Sequence, residues 1–315
     1  MEVKLSGVTV STHLRNPEAR VDSLKDRVNS TLHRRLRVAA IRFLNPAPLM
    51  WDFEHPPLDT ELAQRYDIRW MLPAQCADEL ASDAADIGLV PIAALATTPG
   101  LRVLPGCTIA SKGRVRSLLL VRRANQPLAS LRSVAADVAS RTTIAYSRIL
   151  FHKWGNPDVP FLPMTADLDA MLDRADAAIL IGDPALMALE ERANRFERTA
   201  EELVYHDLAE EWMSLTGLPF VSAVWGIASS SPLGESIGKD FVLSRDHGLQ
   251  NIDALVKQWS RQLPLSEGTI RTYLTTNIHY VLDEECIDAM RGFFRMAAET
   301  GVLPEYELPA NVLAI

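Results

Sequence analysis

The chain has 315 residues, 48% hydrophobic and 23% charged, with a formal net charge of −8 at pH 7. That is ample for a large core split between two lobes, and the acidic balance argues against generic nucleic-acid binding while allowing a local anion site where donors converge. Cys76, Cys107 and Cys286 are dispersed without zinc spacing, no apolar run reaches membrane-spanning length and no signal-peptide order opens the chain, so it reads as cytoplasmic, with no membrane partner.

Residues 1–35 hold scattered charges (Arg15, Arg20, Asp22, Lys25, Asp26, Arg27) without a sustained apolar period. They read as an extension, partly helical from Val21 to Arg35, or as disorder. The stretch that organises the rest is Leu36–Leu49. Val38–Leu44 reads as a buried strand, and Asn45-Pro46-Ala47-Pro48 breaks it, since prolines remove donors and fix φ. Asn45 therefore stands at the carboxyl end of the first strand, where open α/β sheets bind ligands. The alternative is an Asn that stabilises a turn.

The following pattern alternates. Leu58–Gln64 reads as a helix, Tyr66–Leu72 as a strand, Pro73–Ser82 as a helix and Ala85–Pro91 as a strand, which implies a parallel sheet. Leu101–Thr108 and Val115–Arg122 read as strands flanking the turn Ala110-Ser111-Lys112-Gly113-Arg114. Leu128–Asp137 reads as a loop and helix. Ser140-Arg141-Thr142-Thr143 leads into a helix over Ile144–Trp154. Val159–Leu162 is a short strand and Leu168–Arg174 a helix. Ala177–Ile181 is an apolar strand stopped by Gly182-Asp183-Pro184, with a helix resuming over Leu186–Glu191. Tyr205–Leu208 is a short strand, Glu210–Gly217 a loop, and Phe220–Ala228 a strand returning toward the first unit. Asp246–Gln262, Glu267–Thr276 and Glu284–Thr300 read as helices. The expected organisation is an extension (1–35), a first lobe from 36–121 and 222–315, and a second lobe from 122–221. A ligand cleft is expected between the lobes.

Several ordered segments carry a resemblance. They are Ile41–Leu49 (I-R-F-L-N-P-A-P-L), Ala85–Pro91 (A-D-I-G-L-V-P), Ile109–Leu119 (I-A-S-K-G-R-V-R-S-L-L), Ser140–Thr143 (S-R-T-T), Leu180–Ala185 (L-I-G-D-P-A), Asp207–Trp225 and Tyr273–Tyr280 (Y-L-T-T-N-I-H-Y). Together, over roughly residues 36–303, the chain resembles the menaquinone-biosynthesis family of the futalosine route, closest to its chorismate dehydratase branch. Arg42 and Pro46 depart from the small or hydroxyl residues usual there. The resemblance implies an α/β fold like that of periplasmic-binding proteins of the second type, two-lobed with the cleft between. It also implies a cytoplasmic lyase that converts chorismate to 3-[(1-carboxyvinyl)oxy]benzoate, with the small molecule as partner and no metal or cofactor required.

Such an enzyme must hold two carboxylates, orient a ring proton and assist a leaving hydroxide. Asn45 is the first candidate for the catalytic site, bonding the leaving hydroxyl or a carboxylate. Ser111 is a candidate substrate contact in a turn where Gly113 frees backbone N–H groups, whereas Lys112 reads as solvated. Ser117 either points into the cleft or sits in the sheet. Thr142 and Thr143 combine hydroxyls with helix N-terminal amides into an anion site, the alternative being an ordinary N-cap by Ser140 or Thr142. Arg141 either clamps a carboxylate or pairs with Asp137. Gly182 permits close backbone approach, while Asp183 and Asp86 read as structural.

None of the seven histidines has a recognisable nucleophile partner, and each reads as a surface or satisfied core residue. The enolpyruvyl carboxylate of the substrate is then the expected base. Two alternatives stand. One is a non-catalytic small-anion binder of the same fold. The other is the sister dihydroxynaphthoate synthase, expected to use a histidine and an S-P-C-P-N-D-type opening, in place of which Leu44-Asn45-Pro46-Ala47-Pro48 stands. Oligomeric state is not legible.

Overall fold

Strand β1 (Leu36–Ile41) is buried from Val38 onward because sheet neighbours lie on both sides: β2 (Tyr66–Met71) and β3 (Ile87–Pro91), each parallel to it. The structure, a computed structural model, describes residues 34–231, 235–309 and 312. Apart from Arg34 and Arg35, the expected helix Val21–Arg35 lies outside them.

The first sheet has the order β11-β4-β10-β3-β1-β2, where β4 is Arg102–Ser111, β10 Phe220–Ile227 and β11 His279–Val281. It is mixed rather than wholly parallel, because β10 enters from the other lobe and runs antiparallel to both β3 and β4. The second sheet has the order β7-β6-β8-β5-β9: β5 is Leu118–Arg123, β6 Val134–Asp137, β7 Phe161–Met164, β8 Ala177–Ile181 and β9 Leu203–Asp207. Here β6 is parallel to β7 and β8, and β5 is antiparallel to β8 and β9.

The chain crosses between the sheets twice, from Ser111 to Leu118 and from Asp207 back to Phe220. Phe220 pairs with Ser111 at one end and Leu119 with Asp207 at the other, so the crossings run side by side. The turn Ser111-Lys112-Gly113 is therefore no hairpin: its flanking strands belong to different sheets. The expected lobe boundaries after 121 and 221 accordingly lie inside β5 and β10. Asp207 ties the crossings together, accepting from Val115 N and Arg116 N of one and from Ala209 N and Glu210 N of the other.

Other expectations are corrected. The segment expected as loop and helix over Leu128–Asp137 ends in β6, all four of whose residues are buried. Its two alanines favour helix intrinsically, but a central sheet position overrides that preference. The expected loop Glu210–Gly217 is a helix, Leu208–Thr216, capped by the Asp207 carboxylate and ended by Gly217 at φ +70°. Gly182-Asp183-Pro184 does not delay the next helix, which runs Gly182–Glu190, since proline is tolerated in a first turn. The long helix expected over Asp246–Gln262 is two, Glu235–Gln250 and Ile252–Trp259. Glu267–Thr276 is a short helix, Glu267–Thr272, followed by a single π turn, Tyr273–Asn277. Among the described residues no helix is long and apolar enough to cross a membrane.

The helix Arg141–Lys153 points its N-terminus at the space between the sheets. It is held there by its buried face, Ala145, Tyr146, Ile149, Leu150 and Phe151. Tyr146 stacks on Phe220 of β10 at 3.9 Å and on Phe293 of the Glu284–Glu299 helix at 4.2 Å. Each large apolar side chain so buried contributes about 1.5–3 kcal/mol, so this N-terminus is firmly placed.

Candidate active site

A narrow cavity, with about 50 Å³ open to water, lies between the sheets, at a domain interface of the kind small ligands favour. Its walls come from the carboxyl ends of parallel strands. The first sheet gives Ile41, Phe43 and Asn45 after β1 and Pro91 at the end of β3; the second gives Ala139, Ser140, Arg141, Thr142 and Thr143 after β6 and Ile181-Gly182 after β8. Strand β10 adds Ser222 and Ala223.

The Asn45 loop is held from both sides. Its turn closes through Ala47 N to Leu44 O at 3.2 Å and Leu49 N to Pro46 O at 2.9 Å. From the other lobe, Asp183 Oδ1 accepts the Leu44 N–H at 2.9 Å. Burial pushes the Asp183 carboxyl up to about 6, and the Leu44 hydrogen bond pulls it partly back. Gly182, at φ +62°, backs onto the Phe43 ring, where a Cβ would lie 2.7 Å from ring carbons. Beneath the Asn45 loop the buried Tyr273 hydroxyl bonds Ser117 Oγ at 2.7 Å.

Opposite Asn45 stands the start of the Arg141–Lys153 helix. Ser140 occupies the capping position without capping, and its buried hydroxyl has no partner. The first amides of the helix are thus left available, on a partial positive charge suited to an anion. Thr142 Oγ1 accepts from Ala93 N at 3.2 Å, a second bond between the lobes. Arg141 donates to Asp78 Oδ1 at 2.6 Å and not to Asp137, whose carboxylate accepts from Ala139 N. Arg141 is the sole ionisable side chain among the residues lining the cavity, and its guanidinium is paired with Asp78; the remaining walls are apolar side chains with hydroxyls and the start of the helix at one end, which suits an anion with an apolar ring.

Of the residues singled out by sequence, Asn45, Arg141, Thr142, Thr143 and Gly182 meet at this cavity. Ser111 and Ser117 do not line it. Ser111 donates to Gly113 O at 2.7 Å, folding its hydroxyl onto its own crossing segment. Ser117 is buried beneath the wall, bonded to Tyr273. Lys112 is not free in solvent but pairs with Asp283 at 2.9 Å and Glu285 at 2.5 Å, which raises its pKa. Asp86 is structural, accepting from the backbone and side chain of Arg37. Ser140, Ser222 and Tyr273 were not singled out. An apolar-looking strand hid Ser222, and an ordinary helical core position hid Tyr273. None of the five described histidines lines the cavity: His206 lies between Glu211 and Arg122, His279 bonds Asp283, His247 bonds Asp52, His55 bonds Gln258, and His152 is exposed.

Comparison with known proteins adds the lineage. A family model described as menaquinone biosynthesis matches residues 36–299. A chorismate dehydratase of Thermus thermophilus is 27% identical over 191 residues, covering 58% of this chain and 69% of that protein. Among solved structures, the protein AF1704 of Archaeoglobus fulgidus superposes with a TM-score of 0.66 at 15% identity, over 85% of this chain and 98% of that one. The alkanesulfonate-binding protein of Xanthomonas axonopodis pv. citri, bound to MOPS, gives 0.61 at 18% identity, over 88% and 97%. A Candida albicans protein described as having the generic periplasmic binding protein fold gives 0.59 at 16%, over 89% and 93%. These likenesses show the fold: two α/β lobes of the periplasmic-binding-protein type.

Proposed function

The chain belongs to the menaquinone-biosynthesis family, and from that premise we propose that it dehydrates chorismate to 3-[(1-carboxyvinyl)oxy]benzoate in the cavity between its lobes. The observation that carries the reading is the pairing of an uncharged amide, Asn45, with an uncapped helix N-terminus at Ser140 across one cavity lined by no carboxylate. Chorismate has the complementary features: two carboxylates, a hydroxyl and a ring that becomes aromatic.

In this reading the first amides of the Arg141–Lys153 helix, the Ser140 and Thr143 hydroxyls and Arg141 bind a carboxylate. Asn45 bonds the hydroxyl that departs. The C–H bond at the ether-bearing ring carbon breaks, its electrons form the last ring double bond, and the neighbouring C–OH bond breaks. Proton and hydroxide leave as water. No carboxylate or imidazole of the protein lines the cavity, so the substrate's enolpyruvyl carboxylate takes the proton. The residues that orient it supply the rate through positioning and preorganised hydrogen bonds. We place the reaction in the cytoplasm, in keeping with three unpaired thiols.

The test is to incubate the purified full chain with chorismate and follow products by mass and ultraviolet spectrum. Loss of one water with a benzoate-like spectrum supports the reading. Chorismate bound but unchanged would replace it with a binding role, and chorismate neither bound nor changed would reject the ligand class.

A further inference from the structure

Away from the cavity, the turn from β11 into the Glu284–Glu299 helix brings three different kinds of metal ligand together. A ring nitrogen of His279, a carboxylate oxygen of Asp283 and Sγ of Cys286 all lie within 4.8 Å of one another. Each is held by its place in the fold. His279 pairs with Ala110 of β4. Asp283 caps the helix, its Oδ1 accepting from Cys286 N at 2.9 Å, and its Oδ2 meets His279 Nε2 at 2.9 Å. Cys286 is fully buried in the first turn of that helix, on the stripe that continues through Met290 and Phe293. A positive charge already stands at this spot: Lys112 Nζ lies 2.9 Å from the same Asp283 Oδ2 and 2.5 Å from Glu285 Oε2.

We propose that His279, Asp283 and Cys286 form a binding site for Zn²⁺, which takes the place of the Lys112 ammonium at Asp283. Tetrahedral zinc with nitrogen, oxygen and sulfur ligands needs the three ligand atoms about 3.3–3.6 Å apart. The 2.9 Å contact and the 4.8 Å limit bracket that separation, so small side-chain rotations complete the site. An imidazole and a thiolate select a borderline transition cation over Mg²⁺ or Ca²⁺, which take oxygen ligands. Burial pushes the Cys286 thiol up to about 12, so binding must expel a proton. The S–H bond breaks, a Zn–S bond forms and the proton goes to solvent, which makes affinity fall as pH falls. The helix N-terminus steadies the thiolate so formed. Lys112 leaves Asp283 and keeps Glu285. Three protein ligands leave a fourth position to solvent, as in an exchangeable site. None of these residues lines the cavity, so the proposal stands apart from the reaction assigned to it.

The experiment titrates the full chain, stripped with a chelator and kept reduced, with Co²⁺ as a spectroscopic probe and then with Zn²⁺ by calorimetry. One Co²⁺ per chain should give a near-ultraviolet thiolate-to-metal charge-transfer band and the visible bands of tetrahedral cobalt. Cys286→Ser should abolish the charge-transfer band. Zn²⁺ should bind with a Kd on the order of micromolar or tighter at pH 7.5, and about tenfold or more weaker in His279→Ala and in Cys286→Ser. Absence of the charge-transfer band, or equal Zn²⁺ affinity in the wild type and both variants, would mean an adventitious ion only and overturn the proposal.

Lys112→Met supplies a readout of opposite sign. It removes the competing ammonium and touches no ligand, so Zn²⁺ should bind about tenfold more tightly. Unchanged or weaker binding there would overturn the exchange of Lys112 for the metal. Zn²⁺ should also raise the thermal unfolding midpoint of the wild type and leave that of His279→Ala unmoved, since a cation that binds only the folded chain stabilises it. Equal shifts in both would place the ion elsewhere and overturn the site. Should Cys286→Ser fail to fold, His279→Ala carries the test, because His279 is partly exposed.

Discussion

Asp183 offers a quantitative test of how the lobes are joined. It sits in the first turn of the Gly182–Glu190 helix, 7% exposed, with Leu44 N as its hydrogen-bond donor at 2.9 Å. Burial lifts its carboxyl from 3.8 to about 6. A rise of that size is worth roughly 3 kcal/mol against the ionised form. The helix N-terminus favours the charge by at most about 1 kcal/mol, so burial wins by roughly 2 kcal/mol. Between about pH 4 and 6 the folded chain holds a proton that the unfolded chain has released. The stability this group contributes therefore falls as pH rises through that window and stays low above it. Asp183→Asn keeps the shape and an acceptor for Leu44 but removes the charge. At pH 7.5 the variant is expected to be more stable than the wild type by roughly 2 kcal/mol, and the gain should shrink toward zero by pH 4. Urea unfolding followed by tryptophan fluorescence at pH 4, 6 and 7.5, compared at constant slope, measures this. A variant less stable at pH 7.5, or a gain independent of pH, would refute the reasoning.

Three further outcomes follow from the cavity walls. Gly182→Ala combines a left-handed backbone with a Cβ 2.7 Å from the Phe43 ring, so it should lose roughly 2–4 kcal/mol of stability and push the Asn45 loop; thermal unfolding and initial rates report both. Ser140→Ala removes a buried, unpartnered hydroxyl, so the free protein should keep its stability or gain slightly, while KM for chorismate rises about tenfold from the lost bond to a carboxylate. Replacing His206 or His279 with Ala should leave kcat within about threefold of wild type, since neither lines the cavity; a fall of several orders of magnitude for either, with the fold intact by circular dichroism, would assign a protein base.

The parts of the fold legible in sequence were those where local pattern and global burial agree. The run Ala177–Ile181 is a strand with the expected bounds, because a continuous apolar segment bounded by glycine has no competing reading. Asn45, Thr142, Thr143 and Gly182 met at one cavity because strand ends can be read from prolines and glycines. What was not legible depended on long-range contacts. The β4–β5 connection read as a turn between two strands, and only the strand pairing, Phe220 with Ser111 and Leu119 with Asp207, reveals that they belong to two sheets. The strand Val134–Asp137 was hidden by alanines whose local preference is helical. The helix after Asp207 did have a signal, an acidic cap, Asp207, before L-A-E-E-W, that the expected loop overlooked. Nothing local marks Tyr273, whose hydroxyl partner Ser117 lies 156 positions away.

The central claim is that chorismate loses water against Asn45 in the cavity between the lobes. It is tested most directly by the rate of chorismate loss at saturating substrate for the wild type and Asn45→Ala, with chorismate binding measured on both by calorimetry. The account expects water loss by the wild type and a fall of about 100- to 1,000-fold in the variant, the usual loss for one preorganised donor, with binding retained. Equal rates in the two proteins, or a wild type that binds chorismate and leaves it unchanged, would contradict it.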